Sequence, residues 1–394
     1  MVHSLARWIR AFFLGGASLT LSACIVDPAT QRHGAVVLNG PGPATAAPAT
    51  PHVAILLPLT GSNAAIGQAL LHAAQLSLSQ PGSPVLDQYD TAGTPDGAAQ
   101  AARKALAAGA GMILGPLTAP ETAAVAPLAR PANVPVLAFT SDEAQAQPGV
   151  WVLGITPAQQ VRRLVLAARA DNRSRIAAVL PLNPFGDALA SGLLAIVARE
   201  GLPEPRIART SSDFAALTEI MKTVSDYTAR QAVTPPGPPP MDALLLGLNG
   251  PLLDKVVPML GFYGIEQPQV RILGPATWAR EAARQPKLAG AWFAAPDLAG
   301  RAAFEQAYTA KNDAAPRDFA SLAYDAAGIA RAIAGPAGFA AGRLTSPAGY
   351  MGADGLIVLG PDGQVRRGLA VFEVEATGAH VIQPAPPSFD APGT

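Results

Sequence analysis

Apolar and polar positions follow a recurring order along this chain: a short apolar run, a polar turn, then a helix-spaced apolar face. Val53-Ala-Ile-Leu-Leu57 is unbroken apolar and stops at Pro58, the pattern of a strand buried on both faces of a parallel sheet. After the turn Thr60-Gly-Ser-Asn63, residues Ile66, Ala69, Leu70 and Ala73 fall at i, i+3, i+4 and i+7, one face of a helix. The unit then recurs. Strands are predicted over 85–89, 112–114 and 134–139, turns over 90–96 and 115–118, and helices over 97–108 and 120–130. Thr140-Ser-Asp142 follows the last of these strands. Such alternation predicts a parallel sheet with helices on both faces. Right-handed crossovers then put the strand-end turns on one edge of that sheet.

A second set of the same kind follows. Val161, Leu164, Val165 and Ala168 mark a helix; strands are predicted over 176–180, 206–209, 243–246 and 270–273, and helices over 187–200 and 214–229. A further helical face is formed by Leu253, Val256, Val257 and Leu260. Thr234-Pro-Pro-Gly-Pro-Pro-Pro240 fits neither a helix nor a central strand, and reads as a surface insertion within the second lobe. After Trp292-Phe-Ala294 the pattern returns to helices over 301–311 and 319–333. A hairpin is expected between 355–359 and 369–374 across the turn Pro361-Asp-Gly363. The expected organisation is therefore two α/β lobes, 51–155 with 297–368 and 156–296 with 369–383, and a disordered tail over 384–394.

The N-terminus adds an address. Arg7 and Arg10 precede an apolar core from Ala11 to Leu21, about eleven residues, a signal-peptide length and too short to span a bilayer. Leu21-Ser22-Ala23-Cys24 then reads as a lipobox, with cleavage of residues 1–23 and diacylglycerol on Cys24, the one cysteine of the chain. A lone thiol in an oxidising compartment is otherwise a liability. Ile25, where inner-membrane retention favours Asp, points to the periplasmic face of the outer membrane. Residues 24–50, rich in Pro, Ala, Gly and Thr, read as a flexible tether.

Composition excludes more than it assigns. The 394 residues carry a formal net charge of zero and no basic run, which argues against nucleic acid. His3, His33, His52, His72 and His380 have no metal-ligand spacing, so no metal or cofactor is expected. No nucleophile motif or phosphate-binding Gly-rich loop occurs, and no acid pair stands out. No catalytic residue is assigned and no enzymatic activity is expected.

Two similar α/β lobes behind a lipoprotein signal resemble the type I periplasmic-binding-protein fold: two Rossmann-like lobes with parallel sheets, joined by a multi-strand hinge. The opening Val53-Ala-Ile-Leu-Leu-Pro-Leu-Thr-Gly-Ser-Asn63 and the segment Ile113-Leu-Gly-Pro-Leu117 are similar to the branched-chain amino-acid receptor group. A narrower resemblance is to the penicillin-binding-protein activator branch. It rests on Val134-Pro-Val-Leu-Ala-Phe-Thr140, Gly149-Val-Trp-Val-Leu-Gly154, Thr156-Pro-Ala-Gln-Gln-Val161, Ala289-Gly-Ala-Trp-Phe-Ala-Ala-Pro296 and Ser321-Leu-Ala-Tyr-Asp-Ala326. It implies a lipid-anchored protein that activates a bifunctional penicillin-binding protein in peptidoglycan synthesis. The alternative is a solute receptor working with an ABC permease. The best-known activator carries an additional N-terminal helical-repeat domain, and no repeat is visible between Cys24 and Val53.

The resemblance places a ligand cleft at the carboxyl ends of the strands, between the lobes. From the first lobe the candidates are Thr60, Ser62, Asn63, Thr118, Thr140, Ser141 and Asp142. Asn183, Phe185, Asn249 and Trp278 are the strand-end candidates of the second, and Tyr324 and Asp325 lie on a late helix. Each hydroxyl or amide among them is also of the type that caps a helix. Amino-acid receptors hold a carboxylate with a Ser and a Thr after the third and fourth strands. Here Ala119 and Asp142 take those places, which weakens a pocket for an amino-acid carboxylate.

Overall fold

The computed structural model describes residues 50–389, apart from 212, 282–283 and 318. The lipobox, Cys24 and nearly all of the expected tether lie outside the described residues.

The first sheet is built from β1 (His52–Leu57), β2 (Val85–Asp90), β3 (Met112–Leu114), β4 (Val136–Ala138) and β5 (Val150–Val152), in the order β2-β1-β3-β4-β5 and parallel throughout. Three helices connect these strands: α1 (Ala64–Ser77), α2 (Pro95–Ala107) and α3 (Ala119–Ala129). The unbroken apolar run of β1 is explained by two covered faces. Val53, Ile55 and Leu57 point into a core shared with α1, whereas Ala54 packs in a core shared with α2 and α3. Each fully buried Leu or Ile in such a layer contributes about 1.5–3 kcal/mol.

The second sheet begins after α4 (Pro157–Ala170). It continues through β6 (Ile176–Pro181), α5 (Pro184–Glu200), β7 (Arg206–Thr210), α6 (Phe214–Val224), α7 (Tyr227–Gln231), β8 (Ala243–Leu246), α8 (Gly250–Val256), β9 (Arg271–Gly274), α9 (Trp278–Glu281) and β10 (Trp292–Ala295). The chain then returns to the first sheet, where α10 (Leu298–Asn312) and α11 (Ala320–Ile333) pack on α1. The short pair β11 (Ala334–Gly335) and β12 (Gly338–Phe339) and the helix α12 (Ala341–Leu344) lead into a three-stranded antiparallel sheet. That sheet consists of β13 (Tyr350–Gly352), β14 (Gly355–Leu359) and β15 (Val365–Arg367). Finally β16 (Ala370–Glu375) and β17 (Gly378–Gln383) complete the second sheet, whose order is β17-β16-β10-β9-β8-β6-β7. Its strands also alternate. Ala177, Val179, Leu244 and Leu246 face α6 and α8, and Ala178, Leu180, Ala243 and Leu245 face α4 and α5.

Among the described residues the chain passes between the sheets at 153–156, 296–297 and 368–369, so the lobes share a hinge of three segments. The expected α/β fold with two parallel-sheet lobes is the one observed.

Three local expectations change, and one strand, β5, is not anticipated by the sequence pattern. The turn Pro361-Asp-Gly363 joins β14 to β15, not to the strand over 369–374; that strand is β16 and pairs antiparallel with β10 in the other sheet. The charged pair Arg366-Arg367 hides β15 from a hydrophobicity reading. The helix expected over 214–229 breaks at Asp226, which adopts a left-handed φ of 54° and separates α6 from α7. Between Gly149 and Gly154, β5 is too short to show a period. Residues 384–389, expected to be disordered, pack on the hinge: Pro384 O accepts from Arg163 Nη2 at 3.3 Å, and the Arg366 guanidinium lies 4.7 Å from the Phe389 ring centroid. Residues 390–394 lie outside the described residues.

Candidate functional site

The parallel strands β1, β3 and β4 deliver their following loops to one edge of the first sheet, as right-handed crossovers require. At that edge the chain after β4 turns sharply. Thr140 Oγ1 accepts from Asp142 N at 3.1 Å, and Asp142 accepts from Ala144 N at 3.1 Å and from Gln145 Nε2 at 3.2 Å. Glu143 then reaches the hinge, where Thr156 Oγ1 donates to its carboxyl. Thr156 is also the N-cap of α4 and forms a capping box with Gln159, so one threonine couples the β4 loop to the first helix of the second lobe.

Opposite this loop stand the N-terminal ends of α4 and α5. Asn183 Oδ1 caps α5 by accepting from Gly186 N at 3.0 Å. Arg209 fixes the same turn, donating to Pro181 O at 2.9 Å and to Asp187 Oδ1 at 2.6 Å. The two helices approach closely because small residues meet: a Cβ on Gly192 would come within 2.7 Å of Ala158 Cα. Together the loop and the helix ends enclose a cleft of about 720 Å³.

Four of the candidate residues line that cleft: Thr140, Ser141, Asp142 and Phe185. The others are placed elsewhere. Thr60 Oγ1 donates to Asp90 Oδ2 at 2.6 Å and Ser62 is exposed. Asn63 occupies the N-cap of α1 without a side-chain capping bond, and Asn249 does the same at α8. Thr118 caps α3 in a box with the buried Glu121. Trp278 is buried and donates from Nε1 to Leu248 O at 2.9 Å, so its ring packs the second lobe instead of facing ligand. Tyr324 packs on Phe304 with ring centroids 5.0 Å apart, and Asp325 is buried beside Arg367.

The sequence reading did not single out Glu143, Pro157 or the face of α5 formed by Ala188, Ser191, Gly192 and Ala195, all of which line the cleft. Their spacing of i, i+3, i+4 and i+7 was a readable signal: a stripe of small residues on a helix leaves room at its surface.

Two acidic side chains, Asp142 and Glu143, border the cleft, and no Lys or Arg is among the described residues lining it. The positive field on the opposite wall comes from the N-terminal ends of α4 and α5. The arrangement suits a small ligand that presents an amine to the β4 loop and a polar or partly negative group to the helix ends. Among the described residues no group of three or more His, Cys, Asp or Glu is placed to hold a metal ion.

At the end of β2, Asp90 ties that strand to the loop after β1. Burial pushes its carboxyl up, but hydrogen bonds from Thr60, Ala92 and Leu59 outweigh burial and hold the pKa below the ordinary value. Deeper in the first lobe, burial pushes Asp325 up to about 7; Arg367 opposes this shift and Asp354 adds to it.

Two α/β lobes with a cleft at the strand ends are the architecture of a ligand-binding class. Residues 50–379 match the family model described as periplasmic binding protein, and the chain belongs to that non-enzymatic family. A search of curated proteins returns no significant match. Solved structures share the fold at low identity. A Rhodospirillum rubrum structure described as a branched-chain amino acid ABC transporter is 20% identical with a TM-score of 0.69, covering 85% of this chain and 100% of that one. The substrate-binding protein LivJ of Streptococcus pneumoniae, in complex with isoleucine, is 19% identical with a TM-score of 0.55, covering 85% and 100%. The LpoA C-domain of Haemophilus influenzae, described as a regulator of PBP1A, is 14% identical with a TM-score of 0.65, covering 84% and 99%. No helix among the described residues is long and apolar enough to cross a membrane.

Proposed function

We propose that this protein is a solute receptor of an ABC transporter, closing its lobes on a small amine-bearing solute. The observation that carries this reading is the cleft of about 720 Å³ bordered by Asp142 and Glu143 and faced by two helix N-termini. In this reading the lobes are 51–155 with 297–368 and 156–296 with 369–383, and they move about the three hinge segments. Closure presents a new composite surface to a permease. Thr140, Ser141, Asp142, Glu143 and Phe185 contact the solute. Thr60, Thr118 and Asn183 hold neighbouring turns through their side-chain hydrogen bonds. The kinship with transporter receptors supports this reading over the activator reading.

A thermal-shift screen of amino acids, amines and aromatic acids tests it. A true ligand at 100 times its dissociation constant adds about 2.7 kcal/mol of stability. The expected hits carry an amine; a flat response across the whole panel sinks the proposal.

A second reading is a regulator of a bifunctional penicillin-binding protein, tethered through Cys24 to the periplasmic face of the outer membrane. It is favoured by Ile25, by Ala119 and Asp142 in place of carboxylate-binding hydroxyls, and by the likeness to the LpoA C-domain. Here a lobe surface, not the cleft, contacts the synthase. A pull-down from solubilised envelope is expected to recover a peptidoglycan synthase whose rate rises on adding the protein. Recovery of none, with synthase rates unchanged, removes this reading.

A further inference from the structure

Among the described residues, the hydrogen-bond partner of the Glu143 carboxyl is Thr156 Oγ1, a hydroxyl that is buried at the first hinge segment and does not itself line the cleft. An ionised carboxylate can only accept, so the hydroxyl gives its single proton to Glu143 Oε1. A lone pair of the same oxygen accepts from Gln159 N at 3.2 Å and caps α4. Gln159 is held in turn: its Oε1 accepts from Thr156 N at 3.2 Å, and its Nε2 donates to Val365 O of β15 at 2.7 Å. The proton and a lone pair of the Thr156 hydroxyl are both committed, which fixes its orientation.

Glu143 has no such support on its own loop. The bonds of that loop run through its backbone and through Asp142: Ala144 N donates to Asp142 Oδ1, and Ala146 N donates to Glu143 O at 3.0 Å. Among the described residues the second carboxyl oxygen, Glu143 Oε2, has no hydrogen-bond or ion-pair partner, and no Lys or Arg lines the cleft that Glu143 borders.

We propose that Thr156 is a positioning residue for the solute: by taking Oε1, it presents Oε2 of Glu143 to the solute amine. The inference rests on the receptor reading given above. A free glutamate side chain loses rotamer freedom when it grips a ligand. Thr156 orders it beforehand, so the charge-assisted bond to the amine forms at a lower entropic cost. The same bond crosses from the β4 loop of the first lobe to the N-cap of α4, so an amine on Glu143 is fastened to the hinge itself.

The full chain is titrated calorimetrically with leucinamide, cadaverine and phenethylamine, amines that carry no carboxylate. Thr156→Val removes the hydroxyl at similar shape and is expected to weaken their binding about tenfold, and Thr156→Ser restores it. Thr156→Val also removes the cap of α4, so it is repeated in a Glu143→Ala background. There it is expected to leave the affinity unchanged, whereas a threonine that only capped α4 would weaken binding equally in both backgrounds. Without ligand, hydrogen exchange at the amides of Ala144 to Ala146 is expected to quicken about threefold or more in Thr156→Val and in Glu143→Ala, but not in Thr156→Ser. Amine binding undiminished by Thr156→Val, a loss of equal size in both backgrounds, or exchange unchanged by Thr156→Val overturns this inference alone and leaves the receptor reading standing. Failure of all three amines to bind the unaltered chain overturns both.

Discussion

Arg367 Nη2 lies 3.7 Å from Asp325 Oδ2, and both side chains are fully buried. The same nitrogen is 4.0 Å from Asp354 Oδ2, Ser321 Oγ donates to that carboxyl at 2.6 Å, and Arg301 Nη1 approaches its other oxygen at 3.6 Å. Ala353 N donates to Asp325 Oδ1 at 2.6 Å. Two carboxyls and two guanidiniums thus lock α11, the β13–β14 turn and β15 together inside the first lobe, one residue before the third hinge segment.

The lock gives stability a pH dependence. The folded pKa of Asp325 is about 7, raised by burial above the ordinary value of 3.8. Between those two values the folded state holds a proton that the unfolded chain has released. The contribution of Asp325 to stability is therefore fully present below about pH 4 and is lost as the pH rises through about 7. In Asp325→Asn that dependence disappears. Urea unfolding of both proteins from pH 4 to 8 is expected to show the unaltered chain losing on the order of 3 kcal/mol relative to the variant. Parallel curves contradict the assignment.

Removing the cation has a different outcome from removing the acid. Arg367→Met leaves two buried carboxyls facing each other with Arg301 as their nearest cation. Without the opposing guanidinium the Asp325 carboxyl is pushed further up and is neutral at pH 7, so the expected destabilisation is that of a lost buried ion pair, about 1–3 kcal/mol. Adding Asp325→Asn to Arg367→Met recovers part of that loss. A double variant no more stable than the single one, measured by the urea midpoint, shows that the pair does not interact.

Trp278 separates packing from binding. Its indole is 1% exposed and lies against Gly274, where a Cβ would come within 2.2 Å of the ring. Trp278→Ala opens a cavity and is expected to cost about 3–5 kcal/mol. The affinity of a cleft ligand, measured by calorimetry below the lowered melting temperature, stays within about twofold of the unaltered chain, since that residue acts on stability alone. A large loss of affinity at preserved fold returns Trp278 to the site.

How far the sequence could be read follows from what each residue experiences. The run Val53-Ala-Ile-Leu-Leu57 announces β1 because both faces of that strand are covered, so no polar residue interrupts it. The three-residue strand β5 and the charged strand β15 announce nothing: one is too short for a period, and the other carries Arg366 outward and Arg367 into an ion cluster. At the cleft, Thr140, Ser141 and Asp142 are legible as strand-end residues, and Phe185 as an aromatic at the start of α5. Glu143 is not, because its role depends on Thr156 meeting it across the hinge. Thr118 and Asn183 look the same in sequence whether they cap or bind. Only the capping bonds to Glu121 N and Gly186 N decide between the two.

Asp142 sets the sign of the cleft. Its side-chain bonds go to Ala144 N and Gln145 Nε2 on its own exposed loop, so the fold does not depend on its charge. Asp142→Asn keeps the acceptor toward Ala144 N and removes the charge. Stability is expected to change by less than about 0.5 kcal/mol. An amine-bearing ligand in the cleft is expected to lose about tenfold in affinity, the cost of one charge-assisted contact. Asp142→Ser goes further, placing a hydroxyl beside Thr140 where the acid stood. Carboxylate-bearing solutes that leave the unaltered chain unshifted are expected to raise the melting temperature of this variant, because the repelling charge is gone while the helix N-termini opposite remain. If both variants keep the amine preference of the unaltered chain, Asp142 does not face the solute and the selectivity resides in Glu143.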